Sequence, residues 1–296
     1  MFDADAALRA VHEAARTAGL VSHGATLLGP VGDNAVFVLP AEHVVARVAW
    51  GPAATPRVER ELRVAAWLHE QGLPAVRVVA SVPGQPLLCD GRLVTFWEEI
   101  ASPQQADTAA MGDVLRRLHA LPAPPEGLLE TFDPFVRQRE HIAAADGVDD
   151  SDRGFLLELL ADLEAAYGRL PFTLPRSPIH GDPHRKNLVR AADGRVILLD
   201  LERFSFGPPE WDVIVPVVYQ RVGWYSAAEV DQFVAAYGWD VTRWDGCETL
   251  MRVRQLRMTA WLASRTGREP RLIPEVRRRI ASLRDPAVRH PWTPGT

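Results

Sequence analysis

The stretch IHGDPHRKNLVRAADGRVILLD, residues 179–200, constrains this chain more than any other. Val196 to Leu199 is short, β-branched and leucine-rich, and it follows an Asp193-Gly194 turn signal, so it reads as a buried strand. Leu188 and Val189, on the other side of that turn, would pair with it as a hairpin. Asp182 and Asn187 then lie on the loop entering the first strand, and Asp200 leaves the end of the second, so the three side chains can converge. A carboxylate and an amide facing a second carboxylate suit a hard divalent cation such as Mg²⁺. That ion takes one or two protein carboxylates and completes its shell with water and phosphate oxygens. The remaining aspartate can accept a proton from an attacking hydroxyl. Kinase phosphoryl transfer divides its labour in this way. Either half alone would pass for an ordinary turn or strand end; both together, in this order, favour the chemistry.

The motifs point further. HGDPHRKNLV resembles the H-G-D-x-H-x-x-N catalytic loop of the aminoglycoside phosphotransferase and choline kinase-like family, and ILLDLERFSFGPPEWDV resembles that family's metal-binding segment. The resemblance implies a bilobal α+β fold of the protein-kinase type. Residues 1–97 would form a β-sheet N-lobe with one main helix, and 98–296 a larger helical C-lobe. It also implies that Asp182 is the catalytic base, that Asn187 and Asp200 hold Mg²⁺, and that His180 and Asp212 support the loop. From the residues themselves, Glu202 and Glu210 are candidates either to contact the acceptor or to support the groups that do, and Trp211 is one of several rings that could stack on it or pack in the core.

The rest of the chain is consistent with that order. LLGPVGDNAVFVLP reads as strand, turn, strand, with Gly29, Gly32 and Asp33-Asn34 at a tip whose backbone amides could approach phosphates. No GK[ST] follows, so it is not a Walker A loop. HVVARVAW is the next strand. Arg47 sits where kinases carry a phosphate-pairing lysine, a departure from the lysine-bearing pattern, since Lys186 is the only lysine in the chain. Arginine keeps its charge and binds phosphate bidentately, but with different reach. TPRVERELRVAAWLHEQGLP reads as a helix with Pro near its start and a Gly-Leu-Pro stop. Its Glu61 is the expected partner of Arg47, while Glu59 suits equally a helix N-terminus. Strands around 85–88 and 92–97 lead to Glu98, Glu99 and Ile100, where the resemblance puts an adenine-binding hinge. Phe96 or Trp97 would stand at its back wall. Beyond 107 the pattern is helical. TAAMGDVLRRLHALP, FDPFVRQREHIAAA, GFLLELLADLEAAYGRLP and SAAEVDQFVAAYGW all carry helical faces, and His119 reads as a packed or capping side chain.

Composition narrows the partners. The chain has 296 residues, 47% of them hydrophobic, which fits a globular protein of one large or two intimate domains. No apolar run approaches the ~20 residues of a membrane span. The N-terminus reads as an amphipathic helix, not a signal peptide. Cys89 and Cys247 are too few for a disulfide framework or a thiolate zinc site. A cytoplasmic monomer or homodimer is the resulting expectation, with neither membrane nor nucleic acid as partner. Formal charge is about −1 over residues 1–97, −12 over 98–250 and +8 over 251–296. The acidic middle could draw a cationic small molecule or simply be solvated, and the arginine-rich end lacks aromatic-basic interleaving. The expected activity is transfer of a phosphoryl group from ATP, with GTP possible, to a hydroxyl of a small, amine-bearing acceptor. Aminoglycoside-type antibiotics lead. Sugars, choline-like or amino-acid alcohols are the alternative, and a catalytically silent nucleotide-binding module is the competing class.

Overall fold

The structure is a computed structural model that describes residues 3–29, 31–32, 34–287 and 291–294. Two compact units divide the chain. The first comprises Met1–Ala106, Leu121–Glu130 and Arg185–Phe204; the second comprises Asp107–Ala120, Thr131–His184 and Ser205–Thr296.

The first unit begins with helix α1 (Ala4–Ala18), capped at its start by the Asp3 side chain and closed by Gly19 in the left-handed region. One face is Ala7, Ala10, Val11, Ala14 and Ala15, all fully buried. Such small side chains let the helix lie close against a sheet. Five antiparallel strands make that sheet: β1 (Thr26–Leu27), β2 (Asn34–Leu39), β3 (Val44–Trp50), β4 (Leu87–Cys89) and β5 (Arg92–Glu98), in the order β1-β2-β3-β5-β4. Ala35, Phe37, Ala46, Val48, Val94 and Phe96 form one core with α1. Side chains alternate across a strand. The pairing of Val45 with Trp97 and Arg47 with Thr95 therefore places Arg47, Thr95 and Trp97 together on the opposite face. Helix α2 (Thr55–Glu70) follows, with Pro near its start.

A second, three-stranded sheet completes this unit, from β6 (Gln104–Gln105), β8 (Leu188–Arg190) and β9 (Val196–Leu198). Leu188 pairs with Leu198 and Val189 with Ile197, as the turn signal between them implies. The Leu198 amide donates to Pro74 O at 3.1 Å and its carbonyl accepts from Val76 N at 2.9 Å, tying the hairpin to the chain that leaves α2.

The second unit is mostly helical. Its one small ribbon pairs β7 (Ser177–Ile179) with β10 (Ser205–Gly207). Around it lie α3 (Thr108–His119), α4 (Gln138–Ala143), α5 (Asp150–Tyr167), α6 (Glu210–Val213), α7 (Val215–Arg221), α8 (Ala227–Tyr237), α9 (Cys247–Ala263) and α10 (Ile273–Arg284). Asp107 caps α3, and a Ser226/Glu229 capping box starts α8. The two helices meet at Gly112, where an added Cβ would come within 2.7 Å of Phe233 O. Helix α4 is shorter than its sequence suggests. Asp133-Pro134 and Arg137, whose φ is +65°, hold the chain out of helix until Gln138. Two arginines of the basic end are paired inside the unit: Arg279 pairs with Glu275 at 2.9 Å and lies 4.6 Å from the Trp292 ring, and Arg284 pairs with Asp152. No helix among the described residues is long and apolar enough to cross a membrane.

Candidate active site

In the first unit, Arg47 is the hub. It reaches from the middle of β3 to Glu61 on α2 in a direct ion pair. Its second terminal nitrogen lies 3.1 Å from Glu202 and 3.8 Å from Asp200. Arg57, one turn before Glu61 on α2, pairs with the same Glu202 at 2.6 Å. Residues four apart share a helix face, so α2 presents one cation and one anion to this cluster. Burial alone would lower the pKa of Arg47. The charges of Glu61, Asp200 and Glu202 outweigh that effect and hold it above its ordinary value. Glu61 is only 5% exposed, and burial lifts its carboxyl above the usual range against the pull of Arg47. Glu202 goes the other way. Burial would raise it, but Arg57 and then Arg47 bring it below the usual glutamate value.

Asp200, two residues past the end of β9, has φ +53° and ψ +67°, a left-handed conformation that aspartate tolerates better than bulkier residues. This reversal takes the chain out of the strand and leaves the carboxylate 41% exposed. Asn187 precedes β8 and is 9% exposed. An open carboxylate and an amide oxygen on the two arms of one hairpin are hard oxygen donors, the kind Mg²⁺ accepts together with phosphate and water. The donor set therefore fits a divalent cation. Among the described residues no group of three or more His, Cys, Asp or Glu is arranged to hold a metal, and an ion bound mainly by phosphate and water needs none.

At the tip between β1 and β2, Gly29 has φ +74° and Gly32 N donates to Asn34 O at 3.1 Å. Pro30 and Asp33 of this tip lie outside the described residues. At the other end of the sheet Trp97 is buried on the Arg47 face and its indole N–H donates to Thr95 Oγ1 at 2.9 Å. Phe96 belongs to the α1 side. The Glu98 amide donates to Arg77 O at 2.8 Å and the Glu99 amide to His43 O at 2.9 Å, and Ile100 follows beyond the strand.

In the second unit the HGD loop turns at Gly181, whose φ of +84° suits glycine. Asp212, fully buried on α6, fastens this loop. Its two oxygens accept the backbone N–H of His180 at 2.7 Å and of Gly181 at 2.9 Å. His119 Nε2 stands 3.2 Å from the same carboxylate, and its Nδ1 meets the Tyr237 hydroxyl at 2.9 Å. His180 is itself fully buried, and its Nδ1 accepts the Asp182 amide at 3.3 Å. Asp182, thus displayed, receives a 2.6 Å hydrogen bond from Arg254 of α9.

Two sequence expectations need correction. Trp211 and Glu210 were candidates for touching an acceptor, yet each is fully buried. Trp211 donates from its indole nitrogen to Gly181 O at 2.8 Å. Glu210 Oε1 accepts from Thr173 N at 2.7 Å and Leu174 N at 2.8 Å. Trp211 thus braces the HGD loop from within, and Glu210 holds the chain that enters β7. Glu202, the third candidate, sits between two arginines. Arg57 and Arg254 escaped the sequence reading. The four-residue spacing from Arg57 to Glu61 could have revealed the first, but nothing local marks Arg254.

A profile of the phosphotransferase enzyme family matches residues 27–247 of this chain. No curated protein sequence matches. Among solved structures the fold is similar to that of the amicoumacin kinase hAmiN, solved with AMP-PNP, Ca²⁺ and amicoumacin, at TM-score 0.73 and 12% identity over 99% of this chain and 98% of that one. It is similar to a microcompartment-associated aminopropanol kinase at TM-score 0.71 and 19% identity, covering 92% and 94%. An aminoglycoside phosphotransferase from Streptomyces rimosus gives TM-score 0.65 and 22% identity, covering 87% and 99%.

Proposed function

Because the chain belongs to the phosphotransferase enzyme family, we propose that it transfers the γ-phosphoryl group of ATP to a hydroxyl of a small, amine-bearing molecule. The observation that carries this reading is the Arg47–Glu61 pair with the Asp200 carboxylate beside it. A cation on a central strand, fixed by a helix glutamate beside an aspartate that could hold metal, is the arrangement protein kinases use for phosphoryl transfer. Asp182 orients the acceptor hydroxyl and takes its proton. The hydroxyl oxygen then bonds to the γ-phosphorus as the bond to the bridging oxygen breaks, and ADP leaves. Asn187 and Asp200 would hold Mg²⁺, which neutralises phosphate charge when bound. Arg47, kept charged by its three carboxylates, places the phosphates, and the Gly29–Gly32 tip covers them. Trp97, Glu98 and Ile100 line the adenine end.

An aminoglycoside-type antibiotic is the leading acceptor, with amino sugars and amino alcohols next. Support comes from the acidic middle of the chain. A cavity of about 390 Å³ in the second unit is walled by Trp244, Asp245, Glu248, Met251 and Arg221, which pairs with Glu248 at 2.9 Å. Met251 precedes Arg254 by three residues on α9, less than one helical turn. The test is ADP release from Mg²⁺-ATP across a panel of aminoglycosides, amino sugars, choline, aminopropanol and homoserine. The expected result is release that depends on one acceptor, with that acceptor gaining the mass of one phosphoryl group. Tight nucleotide binding with no acceptor phosphorylated would point instead to a nucleotide-binding module.

A further inference from the structure

We propose that Arg254 is the positioning residue of Asp182, an inference that rests on the reading of Asp182 as the proton acceptor. The two residues are 72 positions apart, and the Arg254 side chain is only 4% exposed. One terminal nitrogen donates to Asp182 Oδ1 at 2.6 Å, and the other reaches Gly181 O at 3.5 Å. The guanidinium lies over the Trp211 ring, 4.9 Å from its centroid. Trp211 is in turn fixed by its hydrogen bond to the same Gly181 carbonyl. Tyr219 of α7 hydrogen-bonds with Arg254, and burial first, then the charge of Asp182, raises its phenol above the ordinary tyrosine range. Stacking face, carbonyl, phenol and carboxylate thus meet one planar cation.

Two chemical consequences follow. Asp182 stands next to a glycine turn, where a lone carboxylate would sample several rotamers. A charge-assisted bond from a pinned donor selects one, and orientation is the first demand on a general base. The adjacent cation also favours the ionised carboxylate, the form that can accept a proton. Lysine could supply the charge, but not the stacked planar fork. A purely structural role accounts poorly for the arrangement. Arg254 Nε is buried without a hydrogen-bond partner, and a buried ion pair seldom stabilises more than well-packed apolar side chains would.

The test uses full-length protein labelled at the aspartate carboxyl carbon with ¹³C, and the Asp182 resonance is assigned by its loss in Asp182→Asn. Arg254 from α9 and Tyr219 from α7 face this carboxylate, and His180 Nδ1 holds the Asp182 backbone amide, so Tyr219 and His180 are left in place. In Arg254→Met the Asp182 carboxylate should bind its proton about tenfold more tightly. Arg254→Lys should fall between, and added methylguanidinium should reverse part of the change in Arg254→Ala, where the shortened side chain leaves room for it. With a turned-over acceptor, kcat should fall about 10- to 100-fold with the KM for Mg²⁺-ATP unchanged. An unmoved Asp182 titration in folded Arg254→Met overturns the inference. If that variant does not fold, Arg254→Lys decides: a titration and kcat equal to wild type overturn it. Turnover that survives Asp182→Asn would sink the base reading and this inference with it, whereas a dead Asp182→Asn beside an unaltered Arg254→Met would sink this inference alone.

Discussion

Replacing Asp212 by asparagine should loosen the HGD loop measurably. The Asp212 carboxylate has no exposed surface and accepts from His180 N, Gly181 N and His119 Nε2 at 2.7, 2.9 and 3.2 Å. Asparagine has nearly the same shape but keeps one acceptor oxygen, so its NH₂ group must face a donor. At least one buried N–H is then orphaned, at about 1–3 kcal/mol, and the surviving bonds lose their charge assistance, roughly 1 kcal/mol more. The expected loss is about 2–4 kcal/mol. At roughly 2–4 °C per kcal/mol for a body of this size, the unfolding midpoint should fall by about 4–16 °C. Differential scanning calorimetry measures it, and urea unfolding gives an independent free energy. Asp212→Ala, which orphans all three donors, should fall further. A midpoint for Asp212→Asn within about 1 °C of wild type would refute the view that this carboxylate fastens the loop.

Three further outcomes follow from the same geometry. Glu61→Gln removes the anion that fixes Arg47 while Glu202 and Asp200 remain near it. It should cost about 1–3 kcal/mol in urea unfolding and raise the KM for Mg²⁺-ATP; an unchanged KM would argue against a phosphate-placing role. Glu202 has a folded-state pKa below that of an unfolded glutamate, so its contribution to stability is complete above about pH 5. That contribution is lost as pH falls through the folded value, and the urea midpoint of Glu202→Gln should therefore vary less with acid than that of wild type. Gly112→Ala would drive its Cβ to 2.7 Å from Phe233 O and 3.0 Å from Tyr237 N. Forcing α3 and α8 apart should cost about 1–3 kcal/mol, and a variant as stable as wild type would mean the helices yield freely.

The sequence was informative where structure is local. The α1 and α2 faces, the hairpin of β8 and β9 and the order of HGD loop and Asp200 are all written in spacings of a few residues. The pairing of Arg47 with Glu61, only 14 residues apart, follows from placing a strand cation near the helix that comes next. Contacts between distant segments left no such mark. Glu202 meets Arg47 across 155 residues, and Arg254 meets Asp182 across 72. β5 hid its register for another reason. Leu93 to Trp97 are buried on both faces, so no alternation distinguishes Phe96 on the α1 side from Trp97 on the Arg47 side. Trp211 and Glu210 lie close in sequence to Asp200, but neighbouring positions say nothing of burial, and α6 turns both inward. A short helix start also misled: the apolar residues of 132–137 imitate a helical face that Pro134 and the left-handed Arg137 interrupt.

The central claim is that Asp182 is the base of a phosphoryl transfer. The direct measurement compares wild type with Asp182→Asn, reading Mg²⁺-ATP affinity by calorimetry and acceptor-dependent ADP release on the same samples. Asparagine keeps the shape and the bond from Arg254 but cannot take the proton, so nucleotide affinity should hold while turnover falls about 10²- to 10⁴-fold. Turnover equal to wild type, with nucleotide bound as before, would contradict the account.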